Sequence, residues 1–237
     1  MKKIISLLLV AAALVLCLAS CGASYKTTDQ IKKAGKLIVF TEPGFAPYEF
    51  ISDNKIVGVD VAIMQAVADK LGVELVVSDV AFDAICAAVK SGKADVGAAG
   101  ITINDTRKES VDFSIPYSST EQYVVVAKTN DDIKTLEDLK GKKVGVQQGT
   151  TSDLLVDGFV KDGTLEGTTL TPYDSPAVAA ASIGKIDAVV TDKLTAQIIE
   201  STNDNLKAFK LAKADGSDVG EVEEYGIAVA KGNESLL

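Results

Sequence analysis

Apolar positions along this chain follow two spacings in turn. Residues 37–40 (Leu, Ile, Val, Phe) are a short apolar run after Gly35 and Lys36, which predicts a buried strand. Val59, Ile63, Ala66, Val67 and Leu71 then recur at helical spacing and stop at Gly72, which predicts a helix closed by a C′ glycine. Residues 74–78 predict a second strand. Phe82, Ile85, Cys86 and Val89 share one helical face ahead of Ser91-Gly92, and residues 94–98 predict a third strand. Strand and helix therefore alternate in the α/β manner.

After the polar stretch 128–134 the same order restarts. Thr135 with Asp138 predicts a helix start, residues 143–146 a strand, and Thr150-Thr151-Ser152-Asp153 the opening of another helix. Ser175, Pro176 and Gly184 have the residue types of an N-cap, an N1 position and a C′ stop, and residues 186–190 predict a strand. Residues 91–97 and 183–189 are near copies, sharing Gly-Lys-x-Asp. In both, a glycine ends a helix and an aspartate opens a buried strand. Two α/β lobes of related topology follow, with 36–125 and 224–237 in lobe 1 and 126–223 in lobe 2. The β-rich runs 123–127 and 225–230 are placed to connect them. A chain that crosses between lobes more than once makes a hinge with a cleft.

The N-terminus has another purpose. Lys2 and Lys3 precede an apolar run over 4–19, the pattern of an export signal over 1–20. As a helix the run reaches about 24 Å, short of the roughly 30 Å hydrocarbon core, so a stable span is disfavoured. The segment ends Leu18-Ala19-Ser20-Cys21, which resembles a lipoprotein lipobox; acylation at Cys21, palmitate included, would anchor the chain. Residues 21–35 are then a lipidated N-terminus and tether.

Composition removes several function classes. Acidic residues outnumber basic ones 33 to 24, giving net −9, so no cationic field is available to hold nucleic acid. Histidine is absent, which excludes His-dependent triads, His bases and most zinc sites. Cys17, Cys21 and Cys86 show no C-x-x-C spacing, so no metal, cofactor or redox dithiol is implied. Cys86, on a helical apolar face, reads as an inert core thiol.

Ligands in open α/β sheets gather at the carboxyl ends of strands. After the first copied strand come Gly100, Thr102 and Arg107; after the second come Thr191 and Asp192. An arginine offers a fork for a carboxylate and an aspartate accepts from an ammonium, so the pair fits a zwitterion. Thr150 and Thr151 stand at a helix start, which favours an anion. Local spacing alone equally allows plainer roles. Arg107 beside Asp105 and Glu109 fits a solvated surface charge, Asp192 a helix cap, the threonines ordinary caps, and Phe45 and Phe82 core residues.

Three runs carry a resemblance: residues 100–107 (Gly-Ile-Thr-Ile-Asn-Asp-Thr-Arg), 111–117 (Val-Asp-Phe-Ser-Ile-Pro-Tyr) and 141–151, from Gly141-Lys142 to Thr150-Thr151. With residues 45–50 and Gly58-Val59-Asp60, they resemble the family 3 extracellular solute-binding proteins that serve amino-acid ABC transporters. The similarity runs from about Lys36 to Asn233. The resemblance implies a two-lobed, type II periplasmic-binding-protein-like fold and an extracytoplasmic binder, not an enzyme. Such a binder captures a polar amino acid by hinge closure and delivers it to a permease. It implies Arg107 on the ligand α-carboxylate, with Gly100, Thr102 and, from the other lobe, Thr151 assisting. Asp192 is implied on the α-ammonium, Phe45 and Phe82 around the side chain, and Glu42 facing its end. Residue 99 is alanine where some members keep serine, and the chain stops at Ser235-Leu236-Leu237, where a closing helix of lobe 1 is expected to start. Two competing expectations are a dehydratase on the same fold, using Glu42 or Asp192 as acid or base, and a ligand-sensing domain. No pair of carboxylates with separated roles supports the first, and no fused kinase or channel supports the second.

Overall fold

The computed structural model describes residues 25–237, so the expected signal segment 1–20 and the lipidated Cys21 lie outside the described residues. Thr27 starts helix α1 (Thr28–Ala34) with a capping box shared with Gln30, and Gly35 ends it at φ 72°. Ile31 is fully buried in one apolar cluster with Leu37 and Met64. Residues 28–35, expected as tether, are therefore part of the first lobe: a satisfied cap and a buried isoleucine, worth about 2 kcal/mol, fix them.

The chain continues through β1 (Lys36–Thr41), the meander β2 (Gly44–Phe45), β3 (Glu49–Ser52) and β4 (Lys55–Val57), helix α2 (Val59–Leu71) and β5 (Glu74–Asp79). Helix α3 (Ile85–Lys90), β6 (Val96–Gly97), the single turn α4 (Asp105–Lys108), β7 (Val111–Phe113) and β8 (Ser118–Thr120) complete the first passage. The second lobe holds β9 (Gln122–Ala127), β10 (Lys143–Gln147), α5 (Thr151–Lys161), β11 (Thr169–Tyr173), α6 (Pro176–Ala181), β12 (Ala188–Asp192), α7 (Lys193–Thr202) and β13 (Leu206–Lys210). The chain returns through β14 (Glu223–Tyr225) and β15 (Ala228–Ala230).

Two five-stranded sheets result, ordered β5-β1-β6-β15-β7 and β11-β10-β12-β9-β13. They match strand for strand: the first three strands of each order run parallel and the last two pairings are antiparallel. The copied sequences occupy equivalent places. Asp95 Oδ2 accepts from Ile38 N at 2.9 Å and Asp95 N donates to Ile38 O. In the second lobe Asp187 Oδ2 accepts from Lys143 N at 2.7 Å and Asp187 N donates to Lys143 O. Each aspartate thus ties its strand to the start of the neighbouring parallel strand, which is why Gly-Lys-x-Asp recurs in both halves.

The elements differ from expectation mainly at their ends. Residues 123–127 are no connector: β9 lies inside the second sheet, between β12 and β13, so the lobe boundary expected after 125 falls at Glu121. The crossing is made by β8, which pairs antiparallel with β14, and by the return after β13. Strand β6 has two residues rather than five. Helix α3 is preceded by a 3₁₀ turn at Phe82–Ala84, and α6 stops at Ala181 with Gly184 in the next loop at φ 107°. Asp138 caps from inside: its Oδ2 accepts from Lys134 N and Thr135 N ahead of a 3₁₀ turn, Glu137–Leu139. Cys86 is half-buried among the apolar residues beneath α3, and burial pushes its thiol up, as befits an unreactive thiol.

Candidate functional site

A nearly closed cavity of about 10 Å³ lies between the lobes, at the carboxyl ends of β6, β10 and β12. Phe45, Phe82, Gly100, Thr102, Arg107, Thr151 and Asp192 all line it, seven of the eight ligand contacts implied by the sequence. The eighth, Glu42, stands behind Gln147, which is itself in the wall.

Arg107 is not a solvated surface charge. Asn104 caps α4 by accepting from Arg107 N at 2.8 Å, which turns the side chain inward. Its guanidinium lies 5.3 Å from the Phe82 ring centroid, a cation–π contact, and donates from Nη1 to Thr102 O at 2.8 Å. Nη2 donates across the cleft to Gly149 O at 3.3 Å. Burial pulls its pKa below the usual arginine range, opposed by Cys86 and by the acids Glu223 and Asp192. Such a partly desolvated cation favours an anionic partner.

Asp192 occupies the N-cap position of α7, yet its side chain makes no cap hydrogen bond. The carboxylate is buried and turned into the cleft. Oδ2 accepts from Tyr225 Oη at 2.6 Å and Oδ1 from Gln122 Nε2 at 3.3 Å. Burial, with Glu223 nearby, lifts its pKa to about 7, against the lowering effects of Tyr225 and Arg107. No ion pair joins Arg107 to Asp192 among the described residues. They flank the cavity from opposite lobes, near enough to act on each other electrostatically without a direct ion pair.

The threonines divide their work. Thr150 caps α5, its hydroxyl accepting from Asp153 N and donating to Gln147 O. Thr151 Oγ1 donates to Glu223 Oε2 at 2.7 Å, and Thr102 Oγ1 donates to the same oxygen at 2.8 Å. The Gly100 N–H donates at 2.9 Å to Asp60 Oδ2, which also accepts from Tyr117 Oη, so that donor faces lobe 1 while the residue itself lines the cavity. Its φ is 53° and a Cβ there would stand 2.8 Å from Phe45, which makes glycine the residue that fits. Phe45 is buried and stacks on Tyr48 at 5.8 Å between centroids.

Glu42 Oε2 accepts from Gln147 Nε2 at 2.7 Å, a bond between the lobes. Burial lifts Glu42 to about 7, with Asp79 and Asp174 adding to the rise and Gln147 opposing it. Acidic charge is therefore concentrated at this end of the cleft. Further bonds close it: Gln148 Nε2 donates to Asp83 Oδ2 at 2.7 Å, and Gly44 lies so close to Ser175 that a Cβ would overlap it.

Glu223, Tyr225, Gln122 and Gln147 belong to the site and were not singled out from sequence. Two traces are legible in the sequence: Gln147 lies in the run 141–151 that carries the resemblance, and Tyr225 opens the β-rich run that predicts a connector. Among the described residues no group of three or more Asp, Glu, Cys or His side chains is placed to hold a metal ion.

The sequence profile of the bacterial extracellular solute-binding proteins, family 3, matches residues 37–237. The arginine-binding extracellular protein ArtP of Bacillus subtilis (strain 168) is 34% identical over 100% of this chain and 89% of its own length. The L-cystine-binding protein TcyJ of Escherichia coli (strain K12) is also 34% identical, over 88% of this chain and 76% of its own. Among solved structures, the arginine-bound form of truncated ArgBP from T. maritima superimposes with a TM-score of 0.78 at 38% identity, covering 88% of this chain and 94% of that one.

Proposed function

The chain belongs to the bacterial extracellular solute-binding proteins, family 3, and from that premise we propose that its ligand is a cationic L-amino acid, with arginine the leading candidate. Family membership makes it the solute-binding component of an ABC transporter with a two-lobed type II fold, and not an enzyme. One observation carries the ligand assignment: Arg107 and Asp192 line a shared cavity from opposite lobes, and Glu42 stands behind its Gln147 wall with Asp79 and Asp174 close enough to raise its pKa. Arg107 takes the α-carboxylate and Asp192 the α-ammonium. Phe45 and Phe82 flank the side chain, whose positive end points toward Gln147 and Glu42.

Closure supplies the remaining contacts. Groups from both lobes reach one ligand only when the cleft is shut, so ligand shifts the population to the closed form, which is presented to the permease. A thermal-shift screen over the amino acids tests the assignment, since a ligand bound only by the native state raises the melting temperature. L-Arginine is expected to give the largest shift. A larger shift with a neutral amino acid would refute the cationic reading.

Two variants sharpen the test. Glu42→Gln keeps the bond to Gln147 possible and removes the charge; it is expected to cut the preference for arginine over glutamine by about tenfold or more, measured by calorimetry with each. Gly44→Ala puts a methyl against Ser175 only when the lobes are closed. The same methyl also stands 2.8 Å from the movable end of Glu42; affinity is expected to fall about tenfold by calorimetry, because the contact with Ser175 opposes closure.

Location follows the same reasoning. The extracytoplasmic setting of the family fits the basic start at Lys2 and Lys3 and the apolar run over 4–19, and we assign Cys21 as the lipidated residue that holds the protein to the outer face of the membrane. Incorporation of labelled palmitate, lost in Cys21→Ala, is the expected result.

A further inference from the structure

Glu223 is a clasp. We infer that its carboxylate occupies, from within the chain, the hydroxyl donors that a ligand carboxylate would use, and so holds the lobes together while competing with the ligand. This rests on the ligand assignment above but is read from separate contacts. Thr102 follows β6 in lobe 1, and Thr151 opens α5 in lobe 2. Both hydroxyls donate to the same oxygen, Glu223 Oε2, at 2.8 and 2.7 Å. The other oxygen, Oε1, accepts from Gln122 Nε2 at 2.8 Å. Glu223 thus sits on the crossing strand β14 and is bonded to both lobes at once.

A hydroxyl has one proton to donate. While Thr102 and Thr151 give theirs to Glu223, neither can give it to a carboxylate beside Arg107. Ligand and clasp therefore exclude each other at these two donors, and the free energy of the clasp is subtracted from that of binding. The geometry supplies a place for the displaced side chain. Thr102 and Thr151 line the binding cavity, and they also line a second, open cavity of about 440 Å³ walled by Glu221, Glu223 and Glu224. The two threonines are the residues common to both spaces, and Glu223 ties them together at the boundary. Withdrawal of the carboxylate into the second cavity releases both hydroxyls and opens the seam between the lobes.

The alternative role for Glu223 is direct. An acid near Asp192 is a second acceptor for the ligand ammonium, in which case its loss weakens binding. The two roles give opposite signs. Hydrogen bonds to a charged acceptor are strong enough that losing the competitor is expected to tighten binding about tenfold.

Two measurements on the full chain decide it. Calorimetry with L-arginine is expected to show Glu223→Ala binding about tenfold tighter than the unaltered protein, with Glu223→Gln between them because its amide oxygen still accepts. Small-angle scattering without any amino acid is expected to show a larger radius of gyration for Glu223→Ala, and a radius near that of the unaltered protein for Glu223→Gln, which also serves as the variant of unchanged size. Equal or weaker binding by Glu223→Ala overturns the competition, and an unchanged radius overturns the clasp. If the unaltered protein binds no arginine, the ligand assignment fails, and the scattering result still decides whether Glu223 joins the lobes.

Discussion

Replacement of Arg107 by alanine is expected to weaken L-arginine binding by at least about a hundredfold. The guanidinium is fixed by three separate contacts: the Thr102 carbonyl, the Gly149 carbonyl and the Phe82 ring. Two N–H groups are used there and the others remain for a carboxylate, in an orientation already set. Removing one partner of a buried, hydrogen-bonded charge pair typically costs about 2–5 kcal/mol, which is the source of the hundredfold figure. Arg107→Lys is expected to recover little, because an ammonium cannot hold two carbonyls and a carboxylate in one plane. Isothermal calorimetry gives the affinity and circular dichroism confirms the fold. Near-native affinity in the alanine variant would remove the anchor of the proposed function.

Asp192→Asn is expected to lose binding on a similar scale without loss of folding. Asparagine still accepts from Tyr225 Oη, so the bond across the lobes survives while the charge that attracts an ammonium is gone. Stability adds an independent check. In the folded protein the Asp192 carboxyl titrates at about 7, against an ordinary value of 3.8, chiefly because it is buried. Between those values the folded chain holds a proton that the unfolded chain releases. That contribution is therefore largest at the acid end, declines as pH rises from about 4 to about 7, and is gone above it. Glu42 and Asp60 act in the same direction, so the protein itself loses stability over this range. The variant is expected to lose less, and at pH 8 to melt no lower than the unaltered protein, as followed by thermal denaturation across pH. A steeper pH dependence in the variant would contradict the buried, proton-holding carboxyl described here.

Periodicity and punctuation made much of the fold legible. Apolar spacing located α2, with Gly72 at its end, and the repeated Gly-Lys-x-Asp located two equivalent strands whose aspartates make the same reciprocal bond in each lobe. Lengths and connections were less legible. Strand β6 keeps only two paired residues because the ladder depends on partners β1 and β15, the second of them about 130 residues away. Tyr123 to Ala127 has the composition of any buried strand, and nothing local says which sheet it joins. The same limit governs the site. Arg107 and Asp192 stood out because they follow the two copied strands, Arg107 also closing a run that carries the resemblance, and not from their local surroundings. Gln122, Gln147, Glu223 and Tyr225 are ordinary polar residues of strands, and their roles arise only when distant segments meet. The direction of the Thr102 and Thr151 hydroxyls was equally invisible, since a threonine at a helix start or strand end reads as a cap whatever it faces.

Sheet order also sets the order in which the molecule can assemble. The second sheet is contiguous in the chain and has all its strands once Lys210 has emerged, whereas the first sheet lacks β15, which lies between β6 and β7, until Ala228–Ala230 follow. During export from the N-terminus the lobe written first is thus the last to complete its hydrogen-bonded ladder. Its half-built edge waits unpaired while a finished neighbour already stands beside it.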